Sequence, residues 1–167
     1  MSEQQPQQNT QPVFLIEKIY TKDISLEIPN APQVFRMSGE PSIDMNVATD
    51  AKAVEEGFFD CTVGVTVTAK LPDGKLAFVC EVKQSAVMRI QNVPEEELDA
   101  ILGIACPNII FPYARALISD ITTKAGFPPI ILAPINFEFL YFQRQDEMAA
   151  TEEQIKIAND QKQKLTQ

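Results

Sequence analysis

The residues whose types and spacing first suggest chemistry are three cysteines and two closely spaced carboxylates. Cys61, Cys80 and Cys106 form no Cys-x-x-Cys pair, and the 167-residue chain has no histidine. A structural zinc site takes four cysteine or histidine ligands, so one copy of the chain does not supply a complete set. We therefore predict no metal site and no cofactor, and we interpret the cysteines as free, buried thiols.

Asp23 and Glu27 are the two carboxylates whose spacing first suggests an acid–base pair. The sequence around them alternates between apolar and polar residues as a strand does, and four residues along a strand span about 13 Å. The two groups are then too far apart to share a proton. The chain also lacks histidine, the commonest general base near neutral pH, and it contains no glycine-rich phosphate-binding loop. We predict that the protein is not an enzyme.

The charge balance limits the classes of partner. The formal net charge is −9, which argues against nucleic acid, because phosphate binding requires lysine and arginine. A basic protein partner is compatible with this charge. No apolar run approaches the ~20 residues of a membrane span, and the first residues carry neither a basic region nor an apolar stretch. We expect a cytoplasmic protein with no direct membrane insertion.

Four segments alternate with the period of a β-strand. The first runs from Val13 to Ile28, and a proline-rich connection from Pro29 to Pro41 follows it. Its predicted apolar face comprises Phe14, Ile16, Tyr20, Ile24, Leu26 and Ile28. The second strand contains Ile43, Met45 and Val47; the third and fourth, residues 58–69 and 76–84, are joined by a turn at 71–75 and form a hairpin.

Helical sequence follows the strands. Pro94 and three glutamates predict a helix start, and this helix is expected to run to about Ala105. Pro107 and Pro112 predict a kink or a break before a second helical stretch, because proline removes a backbone hydrogen bond and clashes with the preceding turn. That stretch is expected to end at Lys124 with Gly126 as its cap. A final helix is expected after an Asn136 cap, with fraying or disorder beyond about residue 150.

The order of these elements predicts an α+β fold. Four antiparallel strands would form one sheet, with two main helices on one of its faces, the first interrupted by prolines. We assign residues 1–12 to a disordered polar tail, residues 13–145 to the folded domain and residues 146–167 to a polar C-terminal tail.

Three stretches of this chain resemble the SecB family of bacterial protein-export chaperones. They are residues 19–25 (IYTKDIS), 106–115 (CPNIIFPYAR) and 133–137 (APINF), they occur in the family's order, and the resemblance extends from about Phe14 to about Phe142. It implies an ATP-independent holdase that binds unfolded preproteins and delivers them to the SecA motor ATPase for export across the inner membrane. It also implies a homotetramer, built as a dimer of dimers with helices between two sheets.

The resemblance also implies site residues. The positions that match the family's docking residues for the basic zinc-bearing tail of SecA are Asp23, Glu27, Val79 and Glu81. The positions near the interface between dimers are Phe78, Cys80, Val82 and Gln84.

Apolar residues in the first connection and on the last helix are candidates for a client-binding groove, because aromatic side chains and methionine give adaptable contacts. In the SecB family such grooves hold unfolded clients. Gly39 occupies the place where family members often carry a tryptophan, and this chain has none. The groove candidates are Val34, Phe35, Met37, Phe137, Leu140 and Tyr141.

Two other functions remain open at this point. A SecB-like chaperone dedicated to one client, such as an antitoxin, would share the groove but would lack the SecA contact. A small-ligand carrier would use the same pocket for a tightly bound molecule. The acidic docking positions argue against the first of these alternatives, and the interpretation we favour is the export chaperone.

Overall fold

The computed structural model describes residues 10–165, with side chains to residue 157. Two compact units divide the chain between Ala133 and Pro134. Most of the predicted N-terminal tail, residues 1–9, lies outside the described residues. Near the start of the described chain, the Asn92 side-chain amide donates a hydrogen bond to the Gln11 carbonyl at 2.8 Å.

The first unit is one antiparallel sheet with helices, as the sequence predicted. The strands pair in the spatial order β1-β4-β3-β2, so that the first and last strands in sequence are neighbours. The elements are β1 (Val13–Glu27), a 3-10 turn (Gln33–Arg36), β2 (Ser42–Glu55), β3 (Phe58–Lys70), β4 (Leu76–Gln91), α1 (Glu95–Ala100), a π-helical segment (Ile101–Ala105) and α2 (Cys106–Lys124).

The core of this unit lies between α2 and one face of the two central strands. We call this the covered face and the opposite one the open face. Alternate side chains of β3 and β4 are fully or almost fully buried on the covered face, which fits period-2 alternation in half-buried strands. Buried apolar residues on α2 face them: Cys106, Pro107, Ile110, Phe111, Ala114 and Ile118.

Strand β1 departs from regular alternation at two bulges. Its register against β4 shifts at Glu17 and again at Lys22, and each extra residue moves the following side chains to the opposite face. Between the bulges, Ile19 and Thr21 therefore lie on the covered face, whereas Tyr20 lies on the open face. The predicted apolar face was wrong at Tyr20, because a bulge leaves no mark in the apolar pattern.

The proline-rich stretch does not break the helix. A π-helical segment precedes Pro107, and the Cys106 N–H donates to the Ile101 carbonyl five residues earlier. This wider turn accommodates a residue that has no N–H of its own, as π-turns commonly do. Pro112 lies within α2, which continues to Lys124. The predicted break is therefore wrong, and a π-helical turn stands in its place, whereas a kink at the prolines stays a prediction.

The helical run Glu95–Lys124 spans 30 residues and is long and apolar enough, by length and composition only, to cross a membrane. This corrects the expectation that no such run exists, since Arg115 is the one charged residue between Ala100 and Ser119. A helix that covers the core of a sheet satisfies the same criterion, and α2 packs on β3 and β4.

The second unit contains α3 (Phe137–Leu165). The Asn136 side-chain oxygen accepts a hydrogen bond from the Phe139 N–H at 3.0 Å, which confirms the predicted N-cap. The helix continues about 15 residues past its expected end near residue 150. Residues 146–165 are rich in Ala, Glu, Gln and Lys, which favour helix even without an apolar stripe.

Candidate functional site

The pairing of β1 with β4 brings the four predicted docking residues onto one surface. Glu27 lies directly opposite Val79, and Ser25 lies opposite Glu81. All of these side chains face the open side, as does Asp23, two residues before Ser25. The three carboxylates are exposed and Val79 is half-buried among them. We call Asp23, Glu27, Val79 and Glu81 the acidic surface.

A partly buried polar cluster adjoins the acidic surface and includes Lys22 at the second bulge. Asp60 accepts hydrogen bonds from the Tyr20 hydroxyl at 2.9 Å and from the Lys22 ammonium at 2.7 Å. Burial raises the pKa of Asp60, but these two hydrogen bonds outweigh it and hold the pKa below its ordinary value. The neighbouring hydroxyls of Thr62 and Ser85 lie 2.7 Å apart and hydrogen-bond to each other. Sequence reasoning missed this cluster because it exists only when Tyr20 faces the open side.

A shallow depression of about 260 Å³ lies next to the cluster on the open face. Its floor is Gly64 on β3 and Ala48 on β2, which are paired across the two strands. Two rows of longer side chains flank this pair, so the missing side chain at Gly64 creates the depression. Three lysines are among its lining residues: Lys22, Lys52 and Lys83.

In the first unit, the predicted groove residues Val34, Phe35 and Met37 occupy different environments. Val34 is only 5% exposed and belongs to the core, whereas Phe35 is 50% exposed and Met37 is half-buried. The Phe35 ring lies 5.1 Å from that of Phe127, which in turn lies 4.8 Å from that of Phe78. The apolar surface available to a ligand here therefore centres on Phe35, whereas Val34 packs in the core and holds the first connection in place.

Phe127 is a site residue that sequence reasoning left unassigned. The Phe127 N–H donates to the Thr122 carbonyl and the Gly126 N–H to the Thr123 carbonyl, both at 3.1 Å. These two bonds form the Schellman motif that ends α2, and Gly126 has the positive φ of +92° that the motif requires. An apolar residue directly after the capping glycine typically packs back on the structure, and this signal identifies Phe127 from sequence.

On α3, the predicted residues are less exposed than their neighbours. Phe137 is buried, and Leu140 and Tyr141 are half-buried. Phe139 and Phe142, which the prediction omitted, are 64% and 54% exposed. These two aromatic residues are therefore the better candidates for direct contact with an apolar ligand on this helix.

The predicted interface residues Phe78, Cys80, Val82 and Gln84 all point to the covered face and are 0–5% exposed in one protomer. Gln84 accepts a hydrogen bond from the Thr21 hydroxyl at 3.0 Å. That these four residues lie near a subunit interface stays a prediction. Their side chains are buried in the protomer core, so a neighbouring subunit would contact the helices that cover them.

Exposed apolar side chains lie elsewhere in the first unit. Phe14, Ile16 and Ile24 on β1 are 41–46% exposed, and Ile43 and Met45 on β2 are both 41% exposed, at the two edges of the covered face. Beyond α2 lies a surface cavity of about 520 Å³, and Ile131 in its wall is 76% exposed. The other lining residues are Pro112, Arg115, Ala116 and Ser119.

The three cysteines are buried and free. Burial is the larger reason that the pKa of Cys80 is raised to about 11, with Glu81 adding to it. A hydrogen bond to Cys61, together with burial, raises the pKa of Cys106. The Cys80 and Cys106 thiols therefore stay protonated near neutral pH and act as small apolar side chains, whereas the same hydrogen bond lowers the pKa of Cys61. Within residues 10–157, no group of three or more potential ligands is placed to hold a metal ion.

Comparison with known proteins identifies the family. A family model described as preprotein translocase subunit SecB matches residues 7–148. The chain belongs to the SecB family. This is a family of protein-export chaperones, and the chaperone function of the chain follows from its membership.

Close relatives in the SecB family support this assignment. The protein-export protein SecB of Chromobacterium violaceum is 57% identical over 143 residues, which cover 86% of this chain and 95% of the relative. The protein of the same name from Neisseria meningitidis serogroup A is 54% identical over 140 residues, covering 84% and 95% of the two chains.

A solved structure shows the same fold at much lower identity. It is a SecB-like chaperone of Mycobacterium tuberculosis in complex with a peptide from an antitoxin. The TM-score is 0.62 at 16% identity, and the match covers 73% of this chain and 90% of that chain. At this identity the likeness supports the SecB fold alone.

Proposed function

We propose that this SecB-family chain is an ATP-independent holdase that binds unfolded preproteins in the cytoplasm and passes them to the SecA motor. Client binding rests on exposed aromatic side chains, Phe35 in the first unit and Phe139 and Phe142 on α3. Burial of apolar area contributes about 25 cal/mol per Å², and such contacts make little demand on the client's sequence.

The single observation that carries the transfer step is the acidic surface. Glu81, Glu27 and Asp23 are exposed together on the open face, with Val79 between Glu27 and the sheet centre. This arrangement suits a basic partner that also presents a small apolar residue. A basic tail of SecA fits that description, and the charge of the surface would speed the encounter.

Assembly into a dimer of dimers completes the proposal. One protomer leaves apolar side chains exposed at both edges of the covered face and around Ile131 beyond α2. Exposed apolar area of this kind is typical of surfaces that another subunit covers. Several weak client sites on one tetramer would give a long unfolded chain avidity.

A refolding assay tests the holdase. A slow-folding preprotein is diluted from denaturant with and without this protein, and no nucleotide is present. We expect arrest of folding near one tetramer per client. Normal refolding or aggregation of the client, with the chaperone intact and oligomeric, would contradict the proposal and favour a chaperone dedicated to a single client.

The transfer step needs its own measurement, which is binding of purified SecA at low and high salt. We expect binding that weakens with salt, because exposed ionic contacts are screened. A protein that arrests folding but does not bind SecA would retain the holdase and exclude the transfer. A tightly bound small molecule in native mass spectrometry would instead favour the ligand carrier.

A further inference from the structure

The depression over Gly64 lies beside the acidic surface, and three lysines and one carboxylate, Asp50, line it. Lys22, Lys52 and Lys83 are among its lining residues. Lys22 is paired with Asp60 at 2.7 Å, and Lys52 with Asp50 at 3.5 Å. Across residues 10–157, Lys83 has no ion-pair partner, so it is the unpaired lysine of the three that line the depression.

The sheet register explains why Lys83 stays unpaired. Asp23 is its partner across β1 and β4, yet the two side chains form no ion pair. On the other side Lys83 lies opposite Gly64, which has no side chain to meet it. The side-chain stem of Lys83 passes 3.9 Å from the position that a Cβ at Gly64 would take. The ammonium therefore stands at the rim of an open depression.

We propose that this depression binds a carboxylate of the same extended segment that docks on the acidic surface. The inference rests on the docking role proposed above and makes it more specific. Glu81 and Lys83 are two residues apart on β4, about 7 Å along the strand. An extended peptide that places a basic side chain at Glu81 would therefore place its second-next residue near Lys83. The partner would carry a basic run that ends in an acidic side chain two residues after its last basic residue.

Charge complementarity favours this occupant over a purely basic segment. A second basic side chain at this position would meet the Lys83 ammonium as well as the Asp23 carboxylate opposite it, and the like charge of Lys83 at close range weakens its binding. The surface would thus select for the order of charges in its partner as well as for its net charge.

Three synthetic peptides test the proposal. They share the sequence Lys-Ser-Lys-Ser-X in a neutral extended context, with Glu, Gln or Lys at X. Dissociation constants are measured by fluorescence anisotropy at low salt, where ionic contacts are least screened. The full-length protein is used as wild type, as Lys83→Gln and as Lys124→Gln. Lys124 is an exposed lysine at the end of α2 that pairs with Asp120, and it serves as the control for the loss of one positive charge.

The informative quantity is the Kd of the Glu peptide divided by that of the Gln peptide, compared between Lys83→Gln and Lys124→Gln, because both variants lose one positive charge and the comparison removes the effect of overall charge. We expect the ratio to rise about fivefold in Lys83→Gln, the size of one exposed ionic contact, and to stay unchanged in Lys124→Gln. In Lys83→Glu, the Lys peptide should become the preferred ligand. An equal ratio in wild type and Lys83→Gln would overturn the proposal.

A substitution that fills the depression without changing the charge distinguishes the effect of its shape from the effect of the Lys83 charge. Gly64 has no positive φ, and its nearest neighbours are 3.8–3.9 Å from a built Cβ, which is ordinary van der Waals contact; the β-branched side chain of Gly64→Val suits a strand and would extend into the depression. We expect it to remove the preference for the Glu peptide while leaving binding of the Lys-Ser-Lys part intact. A preference unchanged in Gly64→Val would show that the carboxylate binds elsewhere.

If the underlying docking proposal is wrong, the experiment gives a result that differs from failure of the carboxylate site alone. Glu81→Lys should weaken all three peptides together. If it weakens none of them, the acidic surface is not the docking site. If it weakens all three while Lys83→Gln leaves the ratio unchanged, only the carboxylate site is excluded. No binding of any peptide to wild type would overturn both.

Discussion

Glu27 on β1 lies directly opposite Val79 on β4, and both side chains point to the open face of the sheet. These residues are 52 positions apart in sequence, and only the β1-β4 pairing brings them together. Directly opposite side chains in an antiparallel pair lie about 5 Å apart. An apolar and an acidic group thus form one contact surface for a partner.

Charge reversal at Glu81 tests the separation of docking from client binding. We expect Glu81→Lys to weaken SecA binding about tenfold, because it replaces attraction with repulsion at the centre of the acidic surface. Refolding arrest should be unchanged. Isothermal titration calorimetry measures the Kd for SecA, and the refolding assay measures the arrest of client folding.

Glu56→Lys is the matched control for that experiment, since Glu56 is exposed in the β2–β3 turn and carries the same charge. It should leave SecA binding unaltered. Equal loss of docking in both variants would indicate a general effect of net charge, and loss of refolding arrest in Glu81→Lys would show that the two surfaces are one.

Neighbouring residues in the first connection should have opposite phenotypes. Phe35→Ala removes a half-exposed ring, so we expect client affinity to fall about fivefold with little change in stability. Val34→Ala removes buried methyl groups and should lower the free energy of unfolding by about 2 kcal/mol. Client titration and urea unfolding of both variants measure the difference. Identical effects of the two substitutions would contradict the assignment of Phe35 to the client surface.

Gly126→Ala should disturb the end of α2 and the Phe35 ring together. The positive φ of Gly126 is costly for alanine, at about 1 kcal/mol, and the new Cβ would stand 3.4 Å from the Phe35 ring. We expect a lower melting temperature and weaker client binding. Gly74→Ala, in an exposed turn with no atom within 4 Å of a built Cβ, carries the same backbone strain. It should lower stability without altering client binding.

Asp60 gives the open face an acid-dependent contribution to stability. Its folded-state pKa is lowered from 3.8, because the hydrogen bonds from Lys22 and Tyr20 outweigh the effect of burial. The contribution is therefore complete above the unfolded-state pKa and is lost as the pH falls through the folded-state pKa.

Asp60→Asn removes this contribution. Near neutral pH we expect its free energy of unfolding to be about 1 kcal/mol lower than that of wild type, and the difference should shrink as the pH falls below 3.8. Urea unfolding of the two proteins over a pH series measures it. A difference that does not depend on pH would show that Asp60 contributes through packing alone.

Much of the fold follows from local pattern. The β3–β4 hairpin, the Gly126 cap and the Asn136 cap all lie where turn and cap residues predicted them. Which side chains of β1 share a face could not be predicted in full, because the bulges are set by pairing with β4 and leave the apolar pattern ambiguous. The continuous helix through Pro107 did not follow either, since a π-turn is indistinguishable from a break in sequence.

The candidate site divides in the same way. The acidic residues of β1 and β4 could be named from sequence, but their adjacency required the sheet order, which only the family resemblance supplied beforehand. The depression at Gly64 could not be named, because it depends on small residues facing each other across two strands. Val34 shows the converse: an apolar residue in a loop pattern can belong to the core.

The two bulges of β1 also affect whether an extended chain can add to the edge of the sheet. Strand β1 is at the edge of the sheet, and its outer side presents backbone groups that an extended chain could pair with. Bulges interrupt the regular spacing of such groups and increase local twist, which discourages addition of another strand. At the edge of a single protomer, Glu17 and Lys22 therefore interrupt the regular backbone spacing that addition of a further strand would need.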